Sequence, residues 1–345
     1  MYWGFDSQYI LFFTKQKTSA GDGCISDYKP PKGGSDMHTI NTIKDFTVAV
    51  HTALSAAFPA RSIEPVNVTK NNDVHRTGLT ICPRSNKIIA PTIYTDMHFD
   101  AFQSGQPLET IIGQIVNTCM AALSCAEKGI DTNNIKDFTR IKDKICYKLV
   151  NKHMNSELLT TVPHRDYLDL SIVYYIKLSQ TDNGLATLNV TDSLAHTWGV
   201  DEETLFTLAR SNTPLLCRGC VMPVSDIFGG LLHATPESDT YDSFDFTSVK
   251  PGELPIYVVT NHSNTYGAAS ILYKLLNAVA EKLDSFCLLP ASIHEIIIVP
   301  EHLGNPSELK QLVKEVNGTE VPEEEILSEN CYYYDSAKHE IRMAV

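Results

Sequence analysis

The sequence predicts an α+β protein with a mixed, largely antiparallel sheet or sheets, β-hairpins and four or more amphipathic helices. Apolar residues recur at helical spacing in some segments, whereas others are short β-branched runs separated by turn residues. The predicted hairpins outnumber the predicted strand–helix–strand units. This proportion favours an α+β arrangement over a doubly wound parallel sheet.

Four segments carry an apolar stripe of helical period: residues 107–128, 134–158, 266–283 and those that follow Asn305. Pro107 suits the first position of the first helix, and Glu109 lies in its first turn, where the helix dipole favours a negative charge. Asn305 can cap the fourth helix, Pro306 opens it, and Glu308 completes a capping box. These signals predict where two of the helices begin.

The strands are predicted from β-branched and aromatic runs. Residues 78–94 are typical of two strands around a turn at 85–86, and residues 169–190 of two strands around "SQTDNG". The runs "PIYVVT" and "HEIIIVP" lack polar alternation, so we expect them to be buried on both faces. A last hairpin, formed by "CYYYD" and "EIRMAV", turns around residues 336–339.

The chain is expected to divide into regions. Residues 1–36 are predicted to be a poorly ordered leader, and Met37 is an alternative start. Residues 37–213 and 214–345 form an N-terminal and a C-terminal α+β part, which can also pack as one unit. Residues 233–253 are polar, acidic and without a period, which predicts a surface linker.

The composition argues against several classes of function. The 345 residues carry a formal net charge of −13, which repels phosphate backbones, so nucleic acid is not an expected partner. No apolar run approaches the roughly 18 residues that span a bilayer, so no membrane association is expected. The nine cysteines are scattered and odd in number, which predicts reduced thiols and a cytoplasmic location.

His294 and Glu295 stand side by side at the start of "HEIIIVP". A zincin requires two histidines four residues apart on a helix, but this chain has Ile298 at the second position and the pattern of a strand. Neighbours on a strand point to opposite faces, so the two residues cannot bind one metal ion together. Either both residues lie at the polar edge of a buried strand, or one of them contributes its side chain to a site. No metal site is predicted.

His164 begins the phrase "HRDYLD", which shares His-Arg-Asp with the catalytic loop of protein kinases. The kinase loop carries an asparagine five residues after its aspartate, whereas this chain has Ser171 there and no glycine-rich phosphate loop. A kinase is therefore excluded. His164 and Asp169 stay candidate site residues because they lie where a predicted helix gives way to a strand.

Cysteines and a loop provide further candidates. Cys217 and Cys220 form a C-x-x-C pair, for which a redox site and two incidental thiols are the alternatives. The phrase "TNHSNTYGAAS" lies between a strand and a helix, a common place for ligands. Its candidate ligand-binding residues are Asn261, Asn264 and Gly267. No complete nucleotide-binding motif is present, so no cofactor is expected.

Basic residues repeat every four positions along the second predicted helix. This ridge could dock an anionic partner, and a solvated helix face is the alternative. The ridge consists of Arg140, Lys144, Lys148 and Lys152.

Several longer phrases occur along the chain in order: "VHRTGLTICP", "IAPTIY", "IKDKICYKLVN", "VPHRDYLDLSIVYY", "WGVDEETLFTLARSNTP", "YVVTNHSNTYGAAS", "LPASIHEIIIVP", "VKEVN" and "VPEEEILSENCYYYD". Over residues 40–342 the chain thereby resembles an uncharacterised bacterial family, classed as a domain of unknown function and associated with anaerobic Gram-positive bacteria and their mobile elements. The resemblance implies a bacterial origin and one shared architecture. It implies no activity and no catalytic residues, although the phrases around His164 and His294 resemble signatures of the family.

Two functions from different classes follow. The first is a non-catalytic interaction or regulatory protein whose acidic surface binds a protein partner, since no complete catalytic or cofactor motif is present. The second is a hydrolase-type enzyme in which His164, Asp169, His294 and Glu295 meet at strand ends. The first is favoured, and the oligomeric state stays open.

Overall fold

A computed structural model describes residues 40–82, 92–127, 132–181, 184–225, 244–248, 254–263 and 265–345. The predicted leader, the turn at 85–86, Asn264 and most of the predicted linker at 233–253 lie outside these residues. The described elements mix α-helices with three mostly antiparallel sheets, which confirms the α+β class. They belong to two compact units.

The first unit holds four α-helices and one antiparallel sheet. The helices are α1 (Ile43–Ala57), α2 (Thr95–Gln103), α3 (Leu108–Glu127) and α4 (Thr132–Lys136), and the sheet consists of β1 (Ile63–Thr69), β2 (His75–Ile81) and β3 (Thr92–Tyr94) in this order. Phe46 of α1, Leu79 of β2 and Ile115 of α3 are buried in its core. The helix predicted over 107–128 and the strands within 78–94 are thus confirmed.

The remaining strands of the chain are β4 (Ile145–Asn151), β5 (His164–Tyr167), β6 (Leu170–Thr181), β7 (Gly184–Asn189), β8 (Gly219–Pro223), β9 (Phe244–Phe246), β10 (Tyr257–Asn261), β11 (Phe286–Leu289), β12 (Ile296–Pro300), β13 (Tyr332–Asp335) and β14 (Glu340–Met343). In the second unit, seven of them form one sheet in the order β14–β13–β11–β12–β10–β8–β9, and β4–β6–β5 are neighbours in another. Only β8 and β9 pair in parallel among these neighbours.

The helices of the second unit are α5 (Phe138–Ile141), α6 (Ser156–Leu159), α7 (Asp192–Trp198), α8 (Glu202–Leu216), α9 (Leu275–Leu283) and α10 (Pro306–Thr319). Helix α10 begins at Pro306 as predicted, but Asn305 accepts its capping bond from the N–H of Ser307, and no capping box with Glu308 forms. Residue 213, where the sequence analysis places a boundary between two parts, lies inside α8.

The helix predicted over 266–283 is two separate elements. A 3-10 helix, Gly267–Leu272, comes first, and α9 follows it. Tyr273 between them has an extended backbone, with φ −84° and ψ 167°. The apolar spacing is continuous across this interruption because the side chains of both elements are buried, so the spacing alone does not reveal it.

The helix predicted over 134–158 is wrong beyond residue 144. The chain forms α4, α5 and the 3-10 helix Lys142–Lys144, and then enters the fully buried strand β4. Strand β4 pairs along its whole length with β6, and this pairing overrides the weak helical spacing. The basic ridge therefore does not exist. Its members lie on α5, in the 3-10 helix, in β4 and after β4: Arg140, Lys144, Lys148 and Lys152.

Candidate functional site

Asp169 has its carboxylate occupied by hydrogen bonds. It accepts from the hydroxyl groups of Tyr332 (2.5 Å) and Ser328 (2.6 Å) and from the side-chain amide of Asn330 (2.9 Å). These donors lie in β13 and just before it, so Asp169 connects the turn between β5 and β6 to the C-terminal segment. The carboxylate of Asp169 therefore has a structural role, because it links these two segments of the chain.

His164 is exposed on β5, and its Nδ1 lies 3.0 Å from the carbonyl oxygen of Val162. Within the described part of the chain, it makes no hydrogen bond with Asp169, His294 or Glu295. The structure therefore does not join the four residues of the predicted hydrolase site through hydrogen bonds.

The structure instead assembles a cluster around Tyr266. We define the Tyr266 cluster as Tyr266, His294, Glu325, Lys148 and Tyr175. The Tyr266 ring stacks on His294 with centroids 6.2 Å apart and 12° between the planes, and its centroid lies 5.4 Å from that of Tyr175. The ammonium group of Lys148 lies 4.5 Å from the Tyr266 centroid, a cation–π contact. Tyr266 thus connects all the other aromatic and basic members.

Both ring nitrogens of His294 have a protein neighbour. The backbone N–H of Tyr266 donates to Nδ1 (3.3 Å), so the proton of the neutral ring belongs on Nε2. Nε2 lies 3.7 Å from Oε1 of Glu325. The His294 side chain is only 14% exposed.

Glu325 is positioned by its own backbone. It is the last residue of the 3-10 helix Glu323–Glu325. Two asparagine side chains hold this helix and the residue after it. The Asn71 amide donates to the carbonyl group of Glu324 (2.9 Å), and the Asn72 amide donates to those of Glu323 and Ile326 (2.7 Å each). The N–H of Ile293, next to His294, donates to the Glu325 carbonyl group (2.9 Å). These bonds fix the glutamate and the histidine relative to each other.

Glu295 lies beside this pair. The residue retains exposed surface, but surrounding protein displaces water from its carboxyl group and raises its pKa. The nearby charge of His294 lowers the pKa, and that of Glu325 raises it. The pKa of Glu295 therefore depends on the charges of the Tyr266 cluster, although Glu295 makes no hydrogen bond to the cluster in the described residues.

Asn261 of the predicted ligand-binding loop makes its side-chain hydrogen bonds within the loop. The Asn261 amide donates to the carbonyl oxygen of Thr265 (3.0 Å), and its oxygen accepts from the N–H (3.0 Å) and hydroxyl (2.7 Å) of Ser263. Tyr266 adopts a left-handed backbone, with φ 57°. Gly267 packs against the carbonyl oxygen of His294 so closely that no side chain fits there. The loop thus serves to present Tyr266 to His294.

The C-x-x-C pair is not a thioredoxin-like motif. Cys217 follows the C-terminal end of α8, where the helix dipole does not favour a thiolate, and Cys220 lies in β8. The sulfur of Cys217 lies 3.4 Å from the hydroxyl group of Tyr175, a member of the Tyr266 cluster. Cys217 therefore contacts Tyr175, a contact that the C-x-x-C spacing does not predict.

No pattern in the sequence connects Lys148, Tyr266 and Glu325 with His294. Lys148 was assigned to a helix face, and nothing in "VPEEEI" distinguishes Glu325 from its neighbours. In the described part of the chain, no group of three or more His, Cys, Asp or Glu side chains is arranged to hold a metal ion. None of the described helices combines the length and apolar character that crossing a membrane requires.

Comparison with known proteins identifies a family. No curated protein and no solved structure matches the chain. A family of unknown function, DUF5688, matches residues 43–336. The matched region begins at α1 and extends past β13, so it contains every member of the Tyr266 cluster. The chain therefore belongs to DUF5688, a family of unknown function.

Proposed function

We propose that the protein is a non-catalytic regulatory protein that binds a small anionic ligand at the Tyr266 cluster. The observation that carries this proposal is the position of Lys148. The residue is only 7% exposed, and its ammonium group contacts the Tyr266 ring but forms no ion pair among the described residues. An anionic group beside Lys148 would supply the missing charge.

Electrostatic costs support this reading. An ammonium group that is removed from water without a counter-ion costs several kcal/mol, and a cation–π contact offsets about 2 kcal/mol of that. Selection for stability alone would favour an apolar residue in a buried strand. A binding role gives a reason for a lysine at this position of β4.

Binding is better supported than catalysis because Nδ1 of His294, the nitrogen that would remove a proton, already accepts a hydrogen bond. A histidine that acts as a general base directs one nitrogen to a carboxylate and the other to the proton that it removes. In His294 the second nitrogen already accepts the N–H of Tyr266. A hydrolase built on His164, Asp169, His294 and Glu295 would also need a free Asp169, whose carboxylate accepts three hydrogen bonds.

A regulatory protein must also act on another molecule. We propose a protein partner, and the formal net charge of −13 favours one with a basic surface. The seven described cysteines are free thiols, in keeping with a reducing compartment such as the cytoplasm of a bacterium.

The test compares Lys148→Met with Lys144→Met, which removes an exposed lysine of the adjacent 3-10 helix. Without added anion, we expect Lys148→Met to raise the free energy of unfolding by about 1 kcal/mol, and Lys144→Met to change it by less than about 0.5 kcal/mol. Inorganic phosphate, titrated at constant ionic strength, should raise the melting temperature of the wild type and of Lys144→Met but not of Lys148→Met.

Two results would contradict the proposal. If Lys148→Met loses about 3 kcal/mol or more, the lysine has a structural counter-ion and no ligand is needed. If phosphate stabilises all three proteins equally, it acts on the surface in general.

A further inference from the structure

Cys146 and Cys217 are far apart in the sequence and close together in the fold. Cys146 lies in β4, and Cys217 follows α8. Both are buried with Tyr175 in one small core cluster, and the partly buried side chains of Leu216 and Tyr266 pack against it. The residues that pack against the cluster therefore keep some exposed surface.

Hydrogen bonds to one threonine fix the position of the two cysteines. The hydroxyl group of Thr213 accepts from the N–H of Tyr147 (3.1 Å), the residue after Cys146. The carbonyl group of Thr213 accepts from the N–H of Cys217 (2.8 Å). Tyr175, which is opposite Cys146 in the pairing of β4 with β6, has its hydroxyl group 3.4 Å from the sulfur of Cys217. The two thiols are therefore held in one place by β4, β6 and α8.

The surroundings distinguish the two thiols. The neighbouring Cys146 thiol lowers the pKa of the Cys217 thiol to about 6, burial opposes this shift, and the Tyr175 hydroxyl and the charge of Lys177 lower the pKa further. The same interaction raises the pKa of Cys146. Of the two thiols, Cys217 is therefore the one that loses its proton more readily, although it lies at the C-terminal end of α8.

We propose that Cys146 and Cys217 are a dithiol site that a small hydroperoxide oxidises to an intramolecular disulfide. The site is independent of the C-x-x-C spacing, because the partner of Cys217 is Cys146 and not Cys220. It is also independent of the proposed anion binding, since it needs neither Lys148 nor a ligand.

The reaction has two steps. The Cys217 thiolate attacks one oxygen of hydrogen peroxide, the O–O bond breaks, and Cys217 becomes a sulfenic acid while the released hydroxide takes up the proton that Cys217 had lost. The sulfur of Cys146 then attacks the Cys217 sulfur, the S–O bond breaks, and the leaving hydroxide takes the Cys146 proton. In sum, two thiols and one peroxide give one disulfide and two waters. The two sulfurs lose two electrons, which the peroxide oxygens gain.

The experiment uses the reduced, folded full-length chain. It is treated with hydrogen peroxide, blocked with N-ethylmaleimide and digested without reduction, and the linked peptides are identified by mass spectrometry. We expect a peptide that joins Cys146 to Cys217. In Cys146→Ser this peptide is absent, and Cys217 proceeds to the sulfinic acid because no second thiol resolves the sulfenic acid.

A second buried pair provides the matched control. Cys287 and Cys331 also lie in one core cluster, and the thiol of Cys331 lowers the pKa of Cys287, while burial and the charge of Glu301 oppose that shift. Cys287→Ser should therefore form the Cys146–Cys217 link at the wild-type rate, whereas Cys217→Ser should slow peroxide consumption by about tenfold or more. The wild-type rate should rise with pH through about 6 and level off once Cys217 is fully ionised.

The proposal is overturned if the folded wild type yields no Cys146–Cys217 peptide, or yields it only after unfolding. It is also overturned if the linked peptide joins Cys217 to Cys220. Both of these results are measured on the wild-type chain, so they do not depend on whether a variant folds. If phosphate does not bind at the Tyr266 cluster, the expected disulfide between Cys146 and Cys217 stays the same.

Discussion

The backbone N–H of Tyr266 donates to Nδ1 of His294, and the side chains of the same two residues stack on each other. One residue therefore holds the other through its main chain and its ring together. The backbone of Tyr266 is in the left-handed conformation. Its N–H and its ring can therefore approach His294 from the same side of the loop. This pair organises the cluster that we propose as a ligand site.

His294 should be important for stability, and His164 should not. Replacing His294 by Ala removes the ring that stacks on Tyr266 and leaves the Tyr266 N–H without its acceptor. We expect the free energy of unfolding to fall by about 2 kcal/mol. His164→Ala, at an exposed position of β5, should change it by less than about 0.5 kcal/mol. Urea denaturation measures both, and equal losses would show that the stack does not stabilise the fold.

Glu295 should make stability depend on pH. Its pKa is raised above 4.5, so the folded chain binds this proton more tightly than the unfolded chain does. Ionisation of Glu295 therefore costs stability as the pH rises above 4.5. Glu295→Gln removes that cost. We expect the variant to be more stable than the wild type at neutral pH and the difference to disappear below pH 4.5. Melting temperatures across this range test it, and a difference that does not vary with pH would argue against it.

Gly267 should tolerate no side chain. A Cβ at this position would collide with the carbonyl oxygen of His294 and the hydroxyl oxygen of Thr260, and would lie 2.8 Å from the N of Asn261. We expect Gly267→Ala to lower the free energy of unfolding by about 3 kcal/mol. Gly113→Ala, in open space on α3, should raise it by about 0.5–1 kcal/mol because alanine favours the helix. If both variants were stabilised, the close contact at Gly267 would be wrong.

The two aspartates of "HRDYLD" should differ in their contribution. Asp169→Asn cannot accept from all three of its donors, and we expect a loss of about 3 kcal/mol in the free energy of unfolding. Asp166→Asn breaks an exposed ion pair with Lys152 (2.6 Å) and can keep the long hydrogen bond from the Ser171 hydroxyl (3.4 Å), so its loss should stay below about 1 kcal/mol. Chemical denaturation of both variants is the measurement. A small loss for Asp169→Asn would contradict its role as an anchor and restore it as a candidate for catalysis.

Local signals made part of the fold predictable. Helix α10 is capped by Asn305 and begins at Pro306, so the sequence reveals its start. Strand β4 was missed because "ICYKLVN" has apolar residues at spacings that fit a helix as well as a buried strand. Only its pairing with β6 decides between the two, and that pairing depends on residues outside the segment.

The candidate site was less predictable for the same reason. The sequence indicated His294 through its place at the start of a buried run, but its neighbours Tyr266 and Glu325 come from a loop and a 3-10 helix elsewhere in the chain. The left-handed backbone of Tyr266 has no signature in a non-glycine residue. Likewise, the spacing of Cys217 and Cys220 suggested a pair, whereas burial with Tyr175 brings Cys217 to Cys146.

Strand β14 also affects how this chain behaves among its own copies. It is the last strand on one side of the seven-stranded sheet, and it is only four residues long. Glu340 and Arg342 are exposed on it, and the guanidinium of Arg342 lies over the ring of Tyr333 in the neighbouring strand. A short, charged edge gives an incoming strand few apolar contacts and a desolvation cost. This border of the sheet is therefore protected against edge-to-edge aggregation of the native protein.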